Sequence, residues 1–106
     1  MSDKQKIRSE RRAEVIKALA HPSRILIAEA LAEREMSVGE LTELVGVDIS
    51  TVSKHLSVMK NVGLVGIDKR GLNVYYHLHC PCLTDFFACV DQLNRNRMSA
   101  LTGATG

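Results

Sequence analysis

The chain has 106 residues, 45% of them hydrophobic and 25% charged, which predicts one globular domain of ordinary soluble composition. The charged start and the absence of a long apolar run exclude a signal peptide and a membrane span. We therefore expect a cytoplasmic protein with reduced thiols and no membrane partner. The net charge is only +2, but basic residues predominate at positions 1–24 and 51–73. Such local patches are compatible with nucleic-acid binding and also with solvated helix faces.

Two helices are predicted at the start of the chain. Residues 9–20 carry apolar side chains at helical spacing. A second helix has Pro22 in its first turn, where the missing backbone N–H has no intrahelical partner to lose. We expect this helix to end near Met36.

Two short helices come next, joined at a glycine. Ser37 and Glu40 have the spacing of a capping box, which marks the start of the third helix. Gly46 is typical of a helix C-terminus. Asp48 is the predicted N-cap of the fourth helix, which ends at Gly63.

The sequence period then changes from helical to alternating. Residues 64–68 and 72–79 predict two strands around a tip formed by residues 69–71. In the second strand one face carries Leu72, Val74, Tyr76 and Leu78, and the other carries Asn73, Tyr75, His77 and His79. A last helix is predicted over 84–96. Residues 98–106 are expected to form a flexible tail after a domain of residues 1–97.

This order of elements predicts a mainly α fold with a small β-hairpin wing, an α+β architecture known as the winged helix-turn-helix. The second helix of the turn presents its N-terminal side chains to base edges in the major groove of DNA. The positions that we expect to be exposed on this helix are Ser50, Thr51, Ser53, Lys54 and His55. Lys69 and Arg70 would reach the DNA from the hairpin tip. Taken singly, such residues are also typical of helix caps and soluble turns, so their order carries the prediction.

Three segments, ALAHPSRILIAEAL, SVGELTELVGVDISTVSKHLSVMKNVGLV and RGLNVYYHL, resemble the ArsR/SmtB family of bacterial winged-helix repressors. The resemblance covers roughly residues 12–93. It implies a homodimer, formed by the first and last helices, that binds an inverted-repeat operator in double-stranded DNA and leaves it when a metal ion or other inducer binds. It also assigns the DNA contacts to the residues named above, with His55 matching a histidine that is frequent there. No motif in the chain predicts an enzyme.

The chain departs from the family at two familiar sensing sites. Many members carry a CVC pattern before the recognition helix, where this chain has Ser37 and Gly39. The zinc-type site of the last helix is not reproduced either, because Cys80 and Cys82 stand near its first ligands and Leu93 near a later one. The inducer must therefore be inferred from the cysteines themselves.

All three cysteines lie in the segment HCPCLTDFFAC, residues 79–89. Cys80 and Cys82 are expected at the start of the last helix, where the helix dipole lowers the pKa of a thiol. Cys89 alone is also typical of a buried helix face. We predict Cys80, Cys82 and Cys89 as ligands of a thiophilic inducer, with no cofactor in the DNA-bound form. Three thiolates favour As(III) or Sb(III), then Cd(II) or Pb(II), with His77 or His79 as a fourth ligand.

Helix geometry limits how the cysteines can meet. In one straight helix, residues 82 and 89 would stand about 10.5 Å apart along the axis, too far for one ion or a disulfide. Either the loop before residue 84 folds back towards Cys89, or Cys89 comes from the partner subunit. Two other functions stay open. One is redox or persulfide sensing, through Cys80 with Cys89 or through an interchain pair. The other is a dimeric interaction module with incidental cysteines.

Overall fold

The computed structural model describes residues 2–102, which form five helices and three strands. The elements in chain order are α1 (Asp3–Leu19), α2 (Pro22–Glu33), β1 (Met36–Ser37), α3 (Val38–Val45), α4 (Ile49–Asn61), β2 (Val65–Arg70), β3 (Asn73–Leu78) and α5 (Leu83–Thr102). The predicted mainly α fold with a β-hairpin wing is confirmed. No helix within residues 2–102 has the length and apolar character needed to cross a membrane.

Capping explains where the helices begin and why one prediction was wrong. α1 starts at Asp3, not near residue 9, because the Ser2 hydroxyl accepts the backbone N–H of Gln5 and the Gln5 side chain accepts that of Ser2. These first turns are exposed and mostly polar, so apolar periodicity could not reveal them. At α3 the predicted capping box of Ser37 and Glu40 is present, and Gly46 ends the helix with a φ of 78°.

The three strands form an antiparallel sheet in the order β1-β3-β2. β1 was not predicted, because two residues are too few to show alternation, and its presence ends α2 at Glu33 instead of near Met36. In β3, Leu78 is buried and Tyr76 packs on the core. Leu72 was wrongly assigned to this face, since it lies in the turn and is fully exposed.

The hydrophobic core lies between α2, α3, α4 and the base of the sheet. Its most buried members, at 0% exposure, are Ile27, Ala28, Leu41, Val52, Leu56 and Met59. α5 packs on this core through Leu83 and Phe87 and then continues to Thr102. The helix therefore crosses the boundary predicted at residue 97. Residues 103–106 of the predicted tail lie outside the described residues.

Candidate DNA interface and thiol pair

The first turn of α4 is organised by one carboxylate. The Asp48 side chain accepts the backbone N–H of Thr51 at 3.1 Å and the hydroxyls of Ser50 and Thr51. The Ser50 and Thr51 hydroxyls, followed by the Thr51 backbone N–H, lower the pKa of Asp48 from 3.8 to about 2. Two of the predicted DNA-contacting hydroxyls are therefore already engaged in the cap, and each keeps oxygen lone pairs that can accept from DNA bases.

Ser53 and Lys54 follow on the exposed face of α4. Within residues 2–102 neither side chain takes part in a hydrogen bond or ion pair, so both are available to another molecule. An exposed lysine suits a phosphate, and a serine hydroxyl suits either a phosphate or a base edge.

His55 was predicted to be exposed on this helix, and that prediction was wrong. Its side chain is buried at 7% exposure, and its Nδ1 accepts a hydrogen bond from Arg24 Nε at 3.0 Å. Arg24 also donates to the Ala18 carbonyl, and the His21 ring lies 4.4 Å from the His55 ring. Burial, then the charges of His21 and Arg24, lower the pKa of His55. The residue connects α1, α2 and α4 in the core.

The wing tip carries both predicted basic residues at exposed positions. Arg70 is held by two carboxylates, with its Nη2 at 2.6 Å from Glu35 and 2.8 Å from Asp68. Its guanidinium also stacks 5.2 Å above the Tyr75 ring. Lys69 has no partner of this kind among the described residues. A phosphate would find Lys69 free and would have to compete with Glu35 and Asp68 for Arg70.

Cys80 and Cys82 form a close, exposed thiol pair at the start of α5, with their Sγ atoms 2.6 Å apart. Turn hydrogen bonds from Leu83 N–H to the Cys80 carbonyl and from Asp85 N–H to the Cys82 carbonyl fold the chain tightly here. Sequence reasoning had not considered pairing of these two cysteines with each other. The signal was present in the Cys-Pro-Cys spacing, since a turn at Pro81 brings its neighbours together.

The predicted lowering of thiol pKa is not found at Cys82. Its pKa is raised, first by the hydrogen bond with the Cys80 thiol and then by the repulsion that a Cys80 thiolate would exert. These two causes outweigh the backbone hydrogen bond at Cys82, which lowers the pKa. A cation that bound both sulfurs would remove this repulsion.

The structure does not bring Cys89 to the thiol pair. Cys89 is exposed on α5, and within residues 2–102 no three His, Cys, Asp or Glu side chains lie close enough to hold one metal ion. Cys89 instead borders three exposed apolar residues of α5 at helical spacing, Phe86, Val90 and Leu93, which we call the apolar stripe. A groove of about 290 Å³ runs beside this stripe, with Ile16 of α1 and Ile25 of α2 on its far side.

Comparison with known proteins identifies the family. Residues 21–66 match the family described as bacterial regulatory proteins, arsR family. An uncharacterised HTH-type transcriptional regulator of Mycobacterium tuberculosis, Rv0081, is 40% identical over 78 residues, which are 73% of this chain and 68% of that protein. Its crystal structure superposes with a TM-score of 0.76 at 32% identity, covering 96% of this chain and 99% of that chain.

Two further solved structures share the fold. The homodimeric winged helix-turn-helix DNA-binding domain Mb0332 of Mycobacterium bovis, a possible ArsR-family transcriptional regulator, has a TM-score of 0.78 at 28% identity and covers 94% of this chain and 93% of that chain. The transcriptional repressor BigR of Xylella fastidiosa has a TM-score of 0.70 at 28% identity and covers 85% and 96%.

These comparisons confirm the predicted family, the winged helix-turn-helix and the absence of an enzyme function. The part of the chain that the family description matches runs from the start of α2 into β2 and so includes the whole of α3 and α4. The chain therefore belongs to the arsR family of bacterial regulatory proteins, as a DNA-binding transcription regulator with a winged helix-turn-helix fold.

Proposed function

We propose that the protein is a repressor that binds operator DNA as a homodimer and leaves it when a thiophilic ion binds Cys80, Cys82 and Cys89. The observation that carries this proposal is the exposed Cys80–Cys82 pair, whose sulfurs lie 2.6 Å apart in the turn just before α5. Because α5 also bears the apolar stripe, an event at these sulfurs acts on the helix that we assign to the dimer interface.

The DNA-contacting set follows from exposure and free hydrogen-bonding capacity. Ser53 and Lys54 on α4 and Lys69 on the wing are exposed and free to bind. Ser50, Thr51 and Arg70 can contribute after sharing or exchanging their present partners. The buried His55 is left out of this set and supports α4 from behind.

The homodimer is supported by the apolar stripe. Phe86 is 46% exposed, Val90 36% and Leu93 66%, and Ile16 on α1 is 53% exposed. Monomeric proteins rarely leave such a contiguous patch in water, so pairing of α1 and α5 with the same helices of a second copy is the natural way to cover it. Two recognition helices would then meet DNA about 34–36 Å apart, one helical turn.

The ligand geometry favours an intersubunit site. Cys80 and Cys82 supply two sulfurs from one chain, and Cys89 of the partner subunit, beside the paired stripes, would supply the third. Sulfurs that share one ion lie within roughly 4 Å of each other, which the pair already satisfies. Three soft thiolates fit As(III) or Sb(III) first, and Cd(II) or Pb(II) next. The DNA-bound form needs no cofactor.

An ion held in this way would connect the start of one α5 to the partner's α5 and thereby change the angle between the subunits. The spacing of the recognition helices depends on that angle, so the ion-bound dimer would fit the operator poorly. A hundredfold loss of DNA affinity requires a coupling free energy of only about 2.7 kcal/mol.

The thiol pair also supports a second candidate, redox sensing. Hydrogen peroxide would oxidise the Cys80 and Cys82 thiols to one disulfide. The two protons and two electrons that the thiols release would reduce the peroxide to two molecules of water. The distance between the sulfurs favours this pairing over Cys80 with Cys89. An interaction module with incidental cysteines is not favoured, because it would leave the basic, exposed face of α4 without a role.

Release from DNA separates these functions. Duplexes selected from a random library by the reduced protein serve as the probe, and fluorescence anisotropy measures binding as arsenite, antimonite, Cd(II), Pb(II) or hydrogen peroxide is added. We expect release by arsenite or antimonite at the lowest concentration. Release by peroxide alone would establish the redox candidate instead.

Two variants locate the response. Cys80→Ser/Cys82→Ser should bind DNA normally and stop responding to arsenite. Cys89→Ser should respond only at much higher arsenite, because two sulfurs remain. A double variant that still responds normally would exclude sensing at this pair. Because DNA and reduced thiols occur together in the bacterial cytoplasm, we place the protein there.

A further inference from the structure

The base of the wing carries a pair of histidines whose ring nitrogens converge on one point. His77 lies in β3 and His79 just after it, with ring centroids 4.9 Å apart and the rings inclined at 60°. Opposite His77 in β2 is Gly66. A Cβ on Gly66 would stand 2.5 Å from His79 Nε2 and 2.7 Å from His77 Nε2. The missing side chain thus leaves room where both nitrogens meet.

The hydrogen bond at His79 determines which ring nitrogen is free. His79 Nδ1 lies 2.9 Å from the Gly63 carbonyl oxygen, and a carbonyl only accepts, so Nδ1 must carry the hydrogen and donate it. In the neutral ring the lone pair is then on Nε2, which faces the space above Gly66. A ring N–H bound to a backbone carbonyl is the arrangement that orients metal-ligating histidines.

We propose that His77 and His79 bind one borderline divalent transition-metal cation, such as Cu(II) or Zn(II), above Gly66. Imidazole nitrogens suit these ions, and metal–nitrogen bonds of about 2.0–2.1 Å need only small rotations of two accessible side chains. The two nitrogens supply part of the coordination shell, since no third His, Cys, Asp or Glu within residues 2–102 joins them, and water supplies the rest.

The ion would have a structural effect on the DNA-binding half. It would join His77 in β3 to His79 just after it, and His79 is already bonded to Gly63 in the turn after α4. The wing and the C-terminal end of the recognition helix would therefore be held together more firmly. This proposal does not depend on the thiol-sensing function, because it uses different side chains and a different class of ion.

Copper binding to the full-length chain tests the site after the thiols are removed. In a Cys80→Ser/Cys82→Ser/Cys89→Ser protein, titration with Cu(II) followed by electron paramagnetic resonance should show one equivalent bound with hyperfine coupling to two nitrogens. Zn(II) should raise the melting temperature of the same protein, because it binds the folded state selectively.

Gly66→Ala in the same background is the most specific variant. Gly66 does not have a left-handed backbone, so alanine fits the strand, but its methyl group would occupy the point of convergence. We expect copper affinity to fall by about tenfold or more, as when supporting residues of metal sites are changed. His77→Asn and His79→Asn should cause a similar loss. The circular dichroism spectrum should stay the same for all three.

His21→Asn is the matched control, because it removes a histidine elsewhere and asparagine can still cap α2. It should bind copper as the parent does. The proposal is wrong if the protein with the three Cys→Ser substitutions shows no saturable copper binding. It is also wrong if Gly66→Ala and His77→Asn in that background bind copper as tightly as this parent protein. It also fails if Zn(II) leaves the parent's melting temperature unchanged.

Discussion

Two pairs of histidines in this chain have similar ring separations and opposite hydrogen-bonding roles. His21 and His55 are 4.4 Å apart at the junction of α1, α2 and α4, and both use Nδ1 as an acceptor, from Ser23 N–H at 3.1 Å and Arg24 Nε at 3.0 Å. His77 and His79 are 4.9 Å apart on the wing. There His79 donates through Nδ1 and keeps its Nε2 lone pair free.

The difference shows that the hydrogen-bonding group beside Nδ1, and not the residue type, decides what a histidine can do. In the first pair, N–H groups occupy the acceptor nitrogens, His55 is buried and His21 is half-buried, so the pair contributes to stability. In the second pair, a carbonyl fixes the hydrogen on Nδ1 and leaves an acceptor nitrogen accessible. The same contrast separates the engaged hydroxyls at the start of α4 from the accessible thiols at the start of α5.

The largest effect should come from removing the buried histidine. His55→Ala deletes a buried ring and leaves Arg24 Nε without its acceptor, so we expect the free energy of unfolding to fall by about 2–4 kcal/mol. His79→Ala, at an exposed position, should change it by less than about 1 kcal/mol. Urea denaturation at one fixed protein concentration measures both, since dimer stability depends on concentration. Equal losses in the two variants would contradict the assignment of separate roles.

The next effect is a dependence of stability on pH that originates in His55. Burial, His21 and Arg24 lower the pKa of His55 below its usual 6.5 in the folded protein. The unfolded chain therefore takes up a proton first as the pH falls. Stability should be full above about pH 6.5 and should decrease below it, through the lowered pKa.

Melting temperatures between pH 8 and pH 5 test this for the parent and for His55→Gln. The glutamine variant should melt at a lower temperature and lose most of the slope in this interval. The lowered pKa values of Glu40 and Asp48 start from 4.5 and 3.8, so their effects appear only at lower pH. An unchanged slope in His55→Gln would assign the pH dependence to other groups.

His55 also illustrates which features could be predicted from the sequence and which could not. Capping signals and apolar period predicted α3, α4 and the hairpin, because Ser37, Glu40, Gly46 and Asp48 act on residues three or four positions away. The burial of His55 could not be predicted in this way. It depends on Arg24, which is 31 residues distant in the chain and meets His55 only after α2 packs on α4.

The candidate sites show the same limit. The segment with the cysteines was recognised from its composition, but the contact between Cys80 and Cys82 and the separation of Cys89 depend on the turn at Pro81 and on the start of α5. The pKa of Cys82 moved in the direction opposite to the prediction for that reason. The convergence of His77 and His79 required the register between β2 and β3, which places Gly66 opposite His77.

A smaller effect should appear in the chemistry of the exposed pair. Because the Cys80 thiol raises the pKa of Cys82, Cys80→Ser should lower that pKa and increase the thiolate fraction at pH 8. Cys82 should then react with iodoacetamide a few times faster, as measured by mass spectrometry of the modified peptide. Cys89→Ser is the control and should leave the rate at Cys82 unchanged. A slower reaction in Cys80→Ser would mean that Cys80 activates its neighbour.

The smallest effect concerns Arg70, whose side chain already has partners, as His55 has, but is exposed, as His79 is. Glu35→Gln removes one of its two carboxylates, so the guanidinium should be easier to transfer to a phosphate. Exposed ion pairs contribute at most about 1 kcal/mol, which limits the gain in DNA affinity to roughly fivefold. In a plot of the logarithm of DNA affinity against the logarithm of salt concentration, the slope should steepen by no more than about one, the value for one additional phosphate contact.

Glu33→Gln provides the matched comparison, because Glu33 is exposed on α2 and forms no ion pair within residues 2–102. Both variants add the same charge to the protein, so any general electrostatic attraction to DNA increases in each. The difference between them isolates the contact with Arg70. If the two variants bind selected duplexes equally well, Glu35 does not compete with phosphate for Arg70. Arg70 is then as available to DNA as Lys69.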